Sequence, residues 1–353
     1  MIRNEHLDLA VAQGILTAEQ AGRLRTLAEG GAPADADRAA DPVTVNPDDE
    51  RFRLIGGFND IFVTIGVGLL VAALFGLSGA FGLPFGFSVF AVIAAWGLSE
   101  VFSRRMRLAL PSIALAIMFA GSAASVFLTL GVLILSLESD PPLGLVSLLM
   151  GLGATVAAIA HERRFHVPIN AAIASVGLFC IVNGGIGLAT PDADGGLRWF
   201  GTIVLFGLGI FAVALRIDAS DPMRQTRRAD IAFWLHLVAA PMIVHGTIPL
   251  LVGAPEGMNV AQAFAVLGIY AVLGLIAIVI DRRALLVSGL LYAGVALGYL
   301  VNENVETSFG SSLTLLVLAV IVLGISAGWR TIRRTLIPLL PLGALKHSIP
   351  PAR

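Results

Sequence analysis

Two histidines lie within one long apolar stretch, 229-ADIAFWLHLVAAPMIVHGTIPLLVG-253, which is long enough to cross a bilayer. His236 and His245 are side chains that can change charge near neutral pH. Pro241 and Pro249 lack the N–H that would bond the carbonyl four residues earlier, which predicts a kinked or locally open helix. Broken helices of this kind line substrate or ion sites in transporters. They also occur in ordinary bundles, where neighbouring groups satisfy the freed carbonyls.

The spacing of the two histidines bears on metal binding. His236 and His245 are nine residues apart, so on an ideal helix they differ by a net half turn and by about 13.5 Å along the axis. They therefore cannot share one metal ion from a straight helix, and no His-x-x-x-His pairing with a nearby Glu is present. We expect no metal and no cofactor.

Two further polar residues lie within apolar spans. Asn183, in 183-NGGIG-187, is near the outer end of a span that could unwind at its glycines, and Tyr270 lies near mid-span and needs a hydroxyl partner. The predicted substrate-binding residues are therefore His236, His245, Pro241, Tyr270 and Asn183. A packing role explains each of them as well, because histidine and tyrosine also form hydrogen bonds between membrane helices. Tyr292 and Tyr299, seven residues apart, are expected to form a packing stripe.

Carboxylates are confined to the ends of the apolar spans. Glu100 stands four residues before Arg104, the favourable helical order for an ion pair. Asp60 and Asp230 fall at helix starts, where the macrodipole favours negative charge, and Asp281 also lies at a span end. The absence of a charge at mid-span argues against a carboxylate-driven proton pump and leaves facilitated diffusion open.

No motif indicates an enzyme. Phosphate-binding loops, nucleophile elbows and nucleic-acid-binding motifs are absent from the sequence. The single cysteine, Cys180, can form neither an intramolecular disulfide nor a cysteine metal cluster. We therefore expect no catalysis and no nucleic-acid partner.

Glycine patterns suggest close helix packing more than they suggest repeats. If the ten spans are divided into two halves of five, the triplets Gly66-x-Gly68 and Gly207-x-Gly209 fall in the first span of each half. Matching glycine-rich interruptions of this kind occur in the discontinuous helices of inverted repeats. With 39 glycines in the chain, such triplets are also expected by chance. The small-xxx-small pairs Gly294/Gly298 and Gly324/Gly328 predict close helix contacts, within the chain or between copies.

The composition requires a membrane environment for these residues. Of 353 residues, 57% are hydrophobic and 13% charged, which is too apolar for a water-facing surface. We count ten candidate spans, which predict an all-α polytopic membrane bundle. They cover residues 61–79, 83–102, 108–137, 143–160, 168–189, 199–215, 231–252, 260–280, 284–301 and 313–329.

Charge in the connectors predicts the orientation. With ten spans, six arginine-bearing connectors fall on one side, and Arg198 is the only basic residue in the connectors of the other side. The six are 51-RFR-53, 103-SRRMR-107, 161-HERRFH-166, 216-RIDASDPMRQTRR-228, 282-RR-283 and 330-RTIRR-334. The opposite connectors 138-ESDPP-142, 190-TPDADGG-196 and 302-NENVETS-308 are acidic. The positive-inside rule then predicts that both termini are cytoplasmic. Twenty-two arginines against one lysine, with many alanines and glycines, suggest a GC-rich bacterial genome and therefore a bacterial inner membrane. Trp199, Trp234 and Trp329 fall at span ends, where indole rings favour the headgroups.

The polar segments give the remaining organisation. Residues 1–29 predict a cytoplasmic hairpin of two short helices broken at Gly14, with a capping box of Thr17 and Gln20. Residues 30–53 have the composition of a disordered acidic linker, and 54–334 form the transmembrane bundle. The tail, 335–353, is expected to be interfacial or unstructured. No apolar signal core occurs in the first fifty residues, so the first membrane helix is expected to direct insertion.

The pattern G-I-L-T-A-E-Q-A-x-x-L (Gly14 to Leu24), the linker and the span opening 56-GGFNDIFVTIGVGLL-70 resemble an uncharacterised family of bacterial predicted membrane proteins, domain of unknown function 2157. The resemblance covers about a fifth of the chain. It implies a polytopic membrane protein and supplies no catalytic or binding residues.

Two functions follow as hypotheses. The first is binding or passage of a small neutral or weakly polar solute within the bundle, at the kinked seventh span. The second is a non-transporting membrane scaffold or regulator, whose N-terminal hairpin recruits a cytoplasmic protein or another copy of the chain.

Overall fold

The computed structural model describes residues 4–13, 17, 20–22, 24, 58–82, 87–135, 141–191, 195–252, 259–302, 307–341, 343 and 349–350. The chain divides into two compact units, Met1–Asp49 and Glu50–Arg353. Every regular element in the described residues is a helix, so the predicted all-α fold is confirmed.

Ten of the described helices belong to the second unit and follow the ten predicted spans in order. After α1 (Asn4–Ala12), they are α2 (Phe58–Ala80), α3 (Ser88–Ser99, continued by a π-helical turn Glu100–Arg105), α4 (Ala109–Ile134), α5 (Leu143–Phe165), α6 (Ile169–Ala189), α7 (Gly195–Ala219), α8 (Arg227–Val252), α9 (Val260–Ile280), α10 (Ala284–Asn302) and α11 (Thr307–Leu336). A short 3₁₀ turn, Ile337–Leu339, follows α11.

The second unit is embedded in a membrane. Eight of its described helices are long and apolar enough to cross a bilayer, the exceptions being α3 and α10. Large apolar side chains are exposed along their lengths, including Phe75 at 82% and Leu205 at 72%. Such surfaces suit lipid and not water.

The helix α8, the seventh predicted span, lies at the centre of the bundle. Half of the residues in its most apolar stretch are buried, against at most a third in the corresponding stretches of the other seven candidate spans. Its buried residues belong to three separate apolar clusters: Leu235, Ala239 and Met242 pack with α6 and α7, Val244 and Ile248 with α9 and α10, and Ala240 with α9, α10 and α11. Groups on α8 can therefore influence most helices of this half.

Glycines allow α5 and α6 to pack with their backbones in contact. A Cβ added at Gly184 would lie 2.5 Å from the carbonyl oxygen of Gly144, and one at Gly151 would lie 2.6 Å from that of Gly177. The two contacts lie seven residues apart on each helix, as expected for antiparallel helices with one face in contact. The seam between α5 and α6 therefore depends on the absence of side chains.

The glycine patterns seen in the sequence have mixed outcomes. Gly294 and Gly298 face Leu318 and Thr314 of α11, so this predicted contact is confirmed within the chain. A Cβ at Gly324 would meet nothing within 4 Å. Neither α2 nor α7 is interrupted at its Gly-x-Gly triplet, so the discontinuous helices of inverted repeats are not seen.

The first unit contains α1 and the predicted capping box. The backbone N–H of Thr17 donates to Gln20 Oε1 (2.9 Å), and the N–H of Gln20 donates to Thr17 Oγ1 (3.2 Å), so the box is confirmed. Leu7 and Ala21 are buried. Most of the predicted second helix, the whole linker 30–53 and the connector 51-RFR-53 lie outside the described residues.

Substituting alanine at Gly184 tests the close contact between α5 and α6. We expect Gly184→Ala to lower the free energy of unfolding in detergent by about 1–3 kcal/mol, because the methyl group would overlap the Gly144 carbonyl. Gly185→Ala is the matched control, since its Cβ meets nothing within 4 Å. Equal stability of the two variants would show that the seam is not tight.

Candidate functional site

The helix α8 continues unbroken through both of its prolines. Residues Arg227–Val252 form one α-helix that contains Pro241 and Pro249, so the predicted local opening does not occur. The two histidines have different environments: His236 is fully buried and His245 is exposed. This difference agrees with the half-turn offset expected from their spacing.

The buried histidine belongs to an ion-paired cluster, the Asp218 cluster, formed by Asp218, His236 and Arg282. His236 Nε2 lies 2.9 Å from Asp218 Oδ2. The same oxygen accepts from Arg282 Nε (3.0 Å), and Arg282 Nη2 pairs with Asp218 Oδ1, so the arginine binds the carboxylate through two atoms. Arg282 Nη2 also donates to the Ala229 carbonyl (3.2 Å). The cluster therefore connects α7, α8 and the turn between α9 and α10.

The hydrogen bonds determine the tautomer of His236. An ionised Asp218 carboxylate only accepts, so His236 Nε2 must carry the hydrogen that it shares with Oδ2. The lone pair of the neutral ring then lies on Nδ1. This nitrogen is buried and has no hydrogen-bond partner in the described part of the chain.

A buried carboxylate, Asp281, forms a second cluster, the Asp281 cluster, with Arg224, Trp329 and Arg333. Asp281 Oδ2 pairs with Arg224 Nη1 (3.1 Å). Asp281 Oδ1 accepts from Trp329 Nε1 (2.7 Å) and pairs with Arg333 Nη1 (2.6 Å). All three charged side chains are at most 7% exposed. Two arginines therefore share one carboxylate in a buried environment.

The position of Asp281 at the end of α9 explains why two arginines surround its carboxylate. Asp281 has a left-handed backbone (φ 58°) immediately after α9, where the helix dipole disfavours a carboxylate. Arg224 Nη2 donates to the carbonyl oxygens of Ile280 (3.2 Å) and Asp281 (2.7 Å), which the end of the helix leaves without backbone partners. The arginine thus neutralises the side chain and caps the helix.

The environment of Trp329 corrects the prediction of a headgroup position. Its ring is 1% exposed, with Nε1 bonded to Asp281 and the Arg283 guanidinium 5.0 Å from the ring centre. Arg333 also reaches the tail, because its Nη2 donates to the carbonyl of Pro350 (2.8 Å). This contact joins the end of the tail to α11; residues 342, 344–348 and 351–353 lie outside the described residues.

Less buried ion pairs join the remaining arginine-bearing connectors. Glu100 pairs with Arg104 (3.1 Å), as predicted, and also with Arg164 (2.7 Å). Glu162 pairs with Arg227. Together with the Asp218 and Asp281 clusters, these contacts place five of the six arginine-bearing connectors at one end of the bundle. We call it the arginine-rich end; the sixth connector is 51-RFR-53.

The connector between α7 and α8 is held by Asp221. Its carboxylate accepts from the Thr226 N–H (2.8 Å), the Thr226 hydroxyl (2.7 Å) and the Gln225 N–H (3.2 Å). Burial opposes ionisation of this group, but these hydrogen bonds outweigh it and lower the pKa of Asp221. The connector that carries Arg224 is therefore fixed from both of its ends.

The first half of the bundle has a polar cluster of its own, formed by Ser99, His161 and Asn170. Asn170 Nδ2 donates to the Val167 carbonyl (3.0 Å), which sets the amide orientation, and so donates also to His161 Nδ1 (3.0 Å). The hydrogen of His161 then lies on Nε2, facing Ser99 Oγ at 3.1 Å. In this tautomer the ring cannot accept the Ser99 proton, which goes to the Ala95 carbonyl (2.7 Å). The cluster packs helices and does not activate a nucleophile.

The exposed histidine has a partner on another helix. His245 Nδ1 hydrogen-bonds the Tyr292 hydroxyl of α10, and the Phe200 ring of α7 lies edge-on to His245 with 6.1 Å between ring centres. Tyr292 and Tyr299 pack against the same apolar cluster, as predicted for a packing stripe. Tyr292 also makes the hydrogen bond to His245. The Nε2 of His245 is the ring nitrogen that remains for a further ligand.

The other predicted site residues lie in separate places. Asn183 is half-buried within α6, which does not unwind at its glycines, and its Oδ1 has no hydrogen-bond partner in the described part. The Tyr270 ring of α9 packs over Gly289 of α10. Pro241 is exposed. Among described residues, no hydrogen bond joins any two of the five predicted site residues.

Metal-ligating side chains do not converge within the described ranges, where no group of three or more His, Cys, Asp or Glu residues is placed to hold a metal ion.

Sequence reasoning missed the residues that bring the charged connectors together, namely Asp218, Arg224, Arg282 and Arg333. The sequence gives only a weak signal for these residues, because each lies at a span end, where charged side chains are common. Their ion pairs join distant positions: Asp218 and Arg282 are 64 residues apart, and Arg224 and Asp281 are 57 residues apart. The one useful hint was that acidic residues, Asp218 and Asp281, also occur on the arginine-rich side.

Comparison of this chain with known protein families, with curated proteins and with solved structures gives no match. The site must therefore be interpreted from its own geometry.

Replacing Asp281 tests the buried charge cluster. We expect Asp281→Asn to lower the free energy of unfolding in detergent by about 3–5 kcal/mol, because Arg224 and Arg333 would remain buried without a counter-charge. Glu100→Gln is the control, since its pairs with Arg104 and Arg164 are solvent-accessible and should contribute far less. Equal losses in the two variants would contradict this difference.

Proposed function

We propose that this membrane protein binds or passes a small neutral or weakly polar solute between α8 and α10. The observation that carries the proposal is the hydrogen-bonded pair of His245 and Tyr292, with His245 exposed on the most buried helix of the bundle. Polar side chains at membrane depth usually face the bundle interior or a water-filled cavity, because lipid cannot satisfy them.

The depth of this pair supports the proposal. Tyr292 lies near the middle of α10, Ala284–Asn302. His245 is about 13.5 Å further along α8 than His236, which belongs to the arginine-rich end. Since the hydrocarbon core is about 30 Å thick, the pair lies near its centre. A polar atom at this depth is costly without a hydrogen-bond partner, and a solute or water would supply one to His245 Nε2.

The side chains around the pair indicate the class of solute. His245 Nε2 can donate or accept one hydrogen bond, according to the tautomer that Tyr292 selects at Nδ1. The Phe200 ring supplies an apolar wall. Neither His245, Tyr292 nor Phe200 carries a fixed charge, so a small molecule with one or two polar groups fits this site better than an ion.

We also propose that the arginine-rich end faces the cytoplasm of a bacterial cell, with both termini on that side of the inner membrane. The support is the charge asymmetry of the connectors, since arginine is retained on the cytoplasmic side. Membership in the family that the N-terminal pattern resembles is part of the same proposal.

Aqueous accessibility at position 245 tests the proposed site. In a Cys180→Ala background, we expect His245→Cys to react in membranes with a charged, impermeant thiol reagent. Val244→Cys is the matched control: Val244 is 1% exposed on the adjacent residue of the same helix and should not react. His236→Cys should also stay unlabelled because that site is fully buried.

The contradicting result is no reaction at position 245 while Leu143→Cys, at an 86% exposed position, is labelled. It would mean that the His245–Tyr292 pair faces lipid or packed protein, and the solute-binding function would fail.

A second candidate function is recruitment of a protein partner by the N-terminal unit. Its capping box is formed, and while Leu7 is buried, Leu9 and Leu24 are 59% and 41% exposed. Exposed leucines on such a small element are suited to a further apolar contact. Deleting residues 1–50 separates the two functions: labelling at position 245 should persist, whereas a scaffold would lose its protein interaction.

A further inference from the structure

The structure links α8 to α10 at two levels. At the arginine-rich end, His236 of α8 shares Asp218 with Arg282, which lies two residues before α10 begins. Near mid-membrane, His245 of α8 bonds Tyr292 of α10. A change at the first link therefore acts on the same pair of helices that forms the proposed solute site.

We propose that His236 is a proton-binding group that controls access to the His245–Tyr292 site. This inference rests on the proposed function and specifies its regulation: a proton from water adds to Nδ1 of His236, and solute access then follows protonation. Histidine is the side chain suited to this role near neutral pH. The free lone pair on Nδ1 is the place where the proton binds.

The charges around His236 determine what protonation does. The ring faces Asp218 and the Phe211 ring on α7, and Arg282 and Arg224 act on it from the two neighbouring connectors. With neutral His236, the carboxylate of Asp218 balances Arg282. A second positive charge competes with Arg282 for Asp218 Oδ2 and repels the guanidinium.

The repelled group is the arginine that anchors the start of α10. Arg282 is 2% exposed. The hydrogen bonds defined for its side chain go to Asp218 and to the Ala229 carbonyl. Weakening this anchor frees the end of α10 relative to α7 and α8. Because Tyr292 is on α10, the contact between Tyr292 and His245 then opens and water reaches position 245 more readily.

The test is the pH dependence of labelling at position 245. The probe is an impermeant thiol reagent applied to His245→Cys in the Cys180→Ala background, between about pH 5.5 and 8.5, the range in which histidine changes charge. Rates are divided by those of Leu143→Cys at the same pH, which removes the intrinsic titration of the thiol. This variant also removes His245 from the titration. We expect the normalised rate to rise about tenfold as the pH falls.

Two further variants assign the effect. His236→Gln should abolish the pH dependence. If that variant does not fold, Asp218→Asn should label position 245 at the fast rate across the whole pH range, because Arg282 has then lost its anchor without protonation of His236. The other buried histidine, His161, is unchanged in both variants and so cannot account for either result.

The outcomes separate this inference from the proposed function. No labelling at any pH overturns both. Labelling that is independent of pH, or a pH dependence that survives His236→Gln, overturns proton control and leaves the solute site standing. A pH dependence that survives Asp218→Asn overturns it in the same way.

Discussion

Two carboxylates, the buried Asp281 and the partly buried Asp218, hold the arginine-rich end of this bundle together. Asp218 joins α7 and α8 to Arg282, and Asp281 joins the end of α9 to Arg224 and Arg333. Buried charges are tolerated only when they are paired and hydrogen-bonded, so each carboxylate determines where its arginines must lie. The helices that carry these arginines are positioned as a consequence, because lipid provides no hydrophobic force to bring helices together.

The same network gives α8 its special place. The helix is buried on several sides by apolar contacts, yet it carries one histidine into the charged end and a second to mid-membrane. Its prolines do not break it, so a disturbance at His236 can be transmitted along an intact helix to His245. In the other half, α5 and α6 are joined by close glycine packing and by the hydrogen bond between Asn170 and His161.

Sequence reasoning predicts the features of this protein that depend on local pattern. Apolar runs gave the ten helices, and fixed spacings gave the capping box of Thr17 and Gln20 and the pair Glu100–Arg104. Pairings between residues further apart leave no such pattern: the sequence predicts that the sixth span ends at residue 215, whereas α7 continues to Ala219 and brings Asp218 to His236. The sequence likewise predicts a headgroup position for Trp329, because no local pattern indicates its hydrogen bond to Asp281, 48 residues away.

The most direct test of this account is a double-mutant cycle on the pair Asp218 and Arg282, measured as the free energy of unfolding in detergent. Asp218→Asn and Arg282→Gln should each lose about 3–5 kcal/mol, because each leaves the other charge buried and unpaired. The double variant should lose less than the sum by at least about 1 kcal/mol, since neither charge then remains. Losses that add within about 0.5 kcal/mol would show that the two groups act independently and that this pair does not hold the helices together.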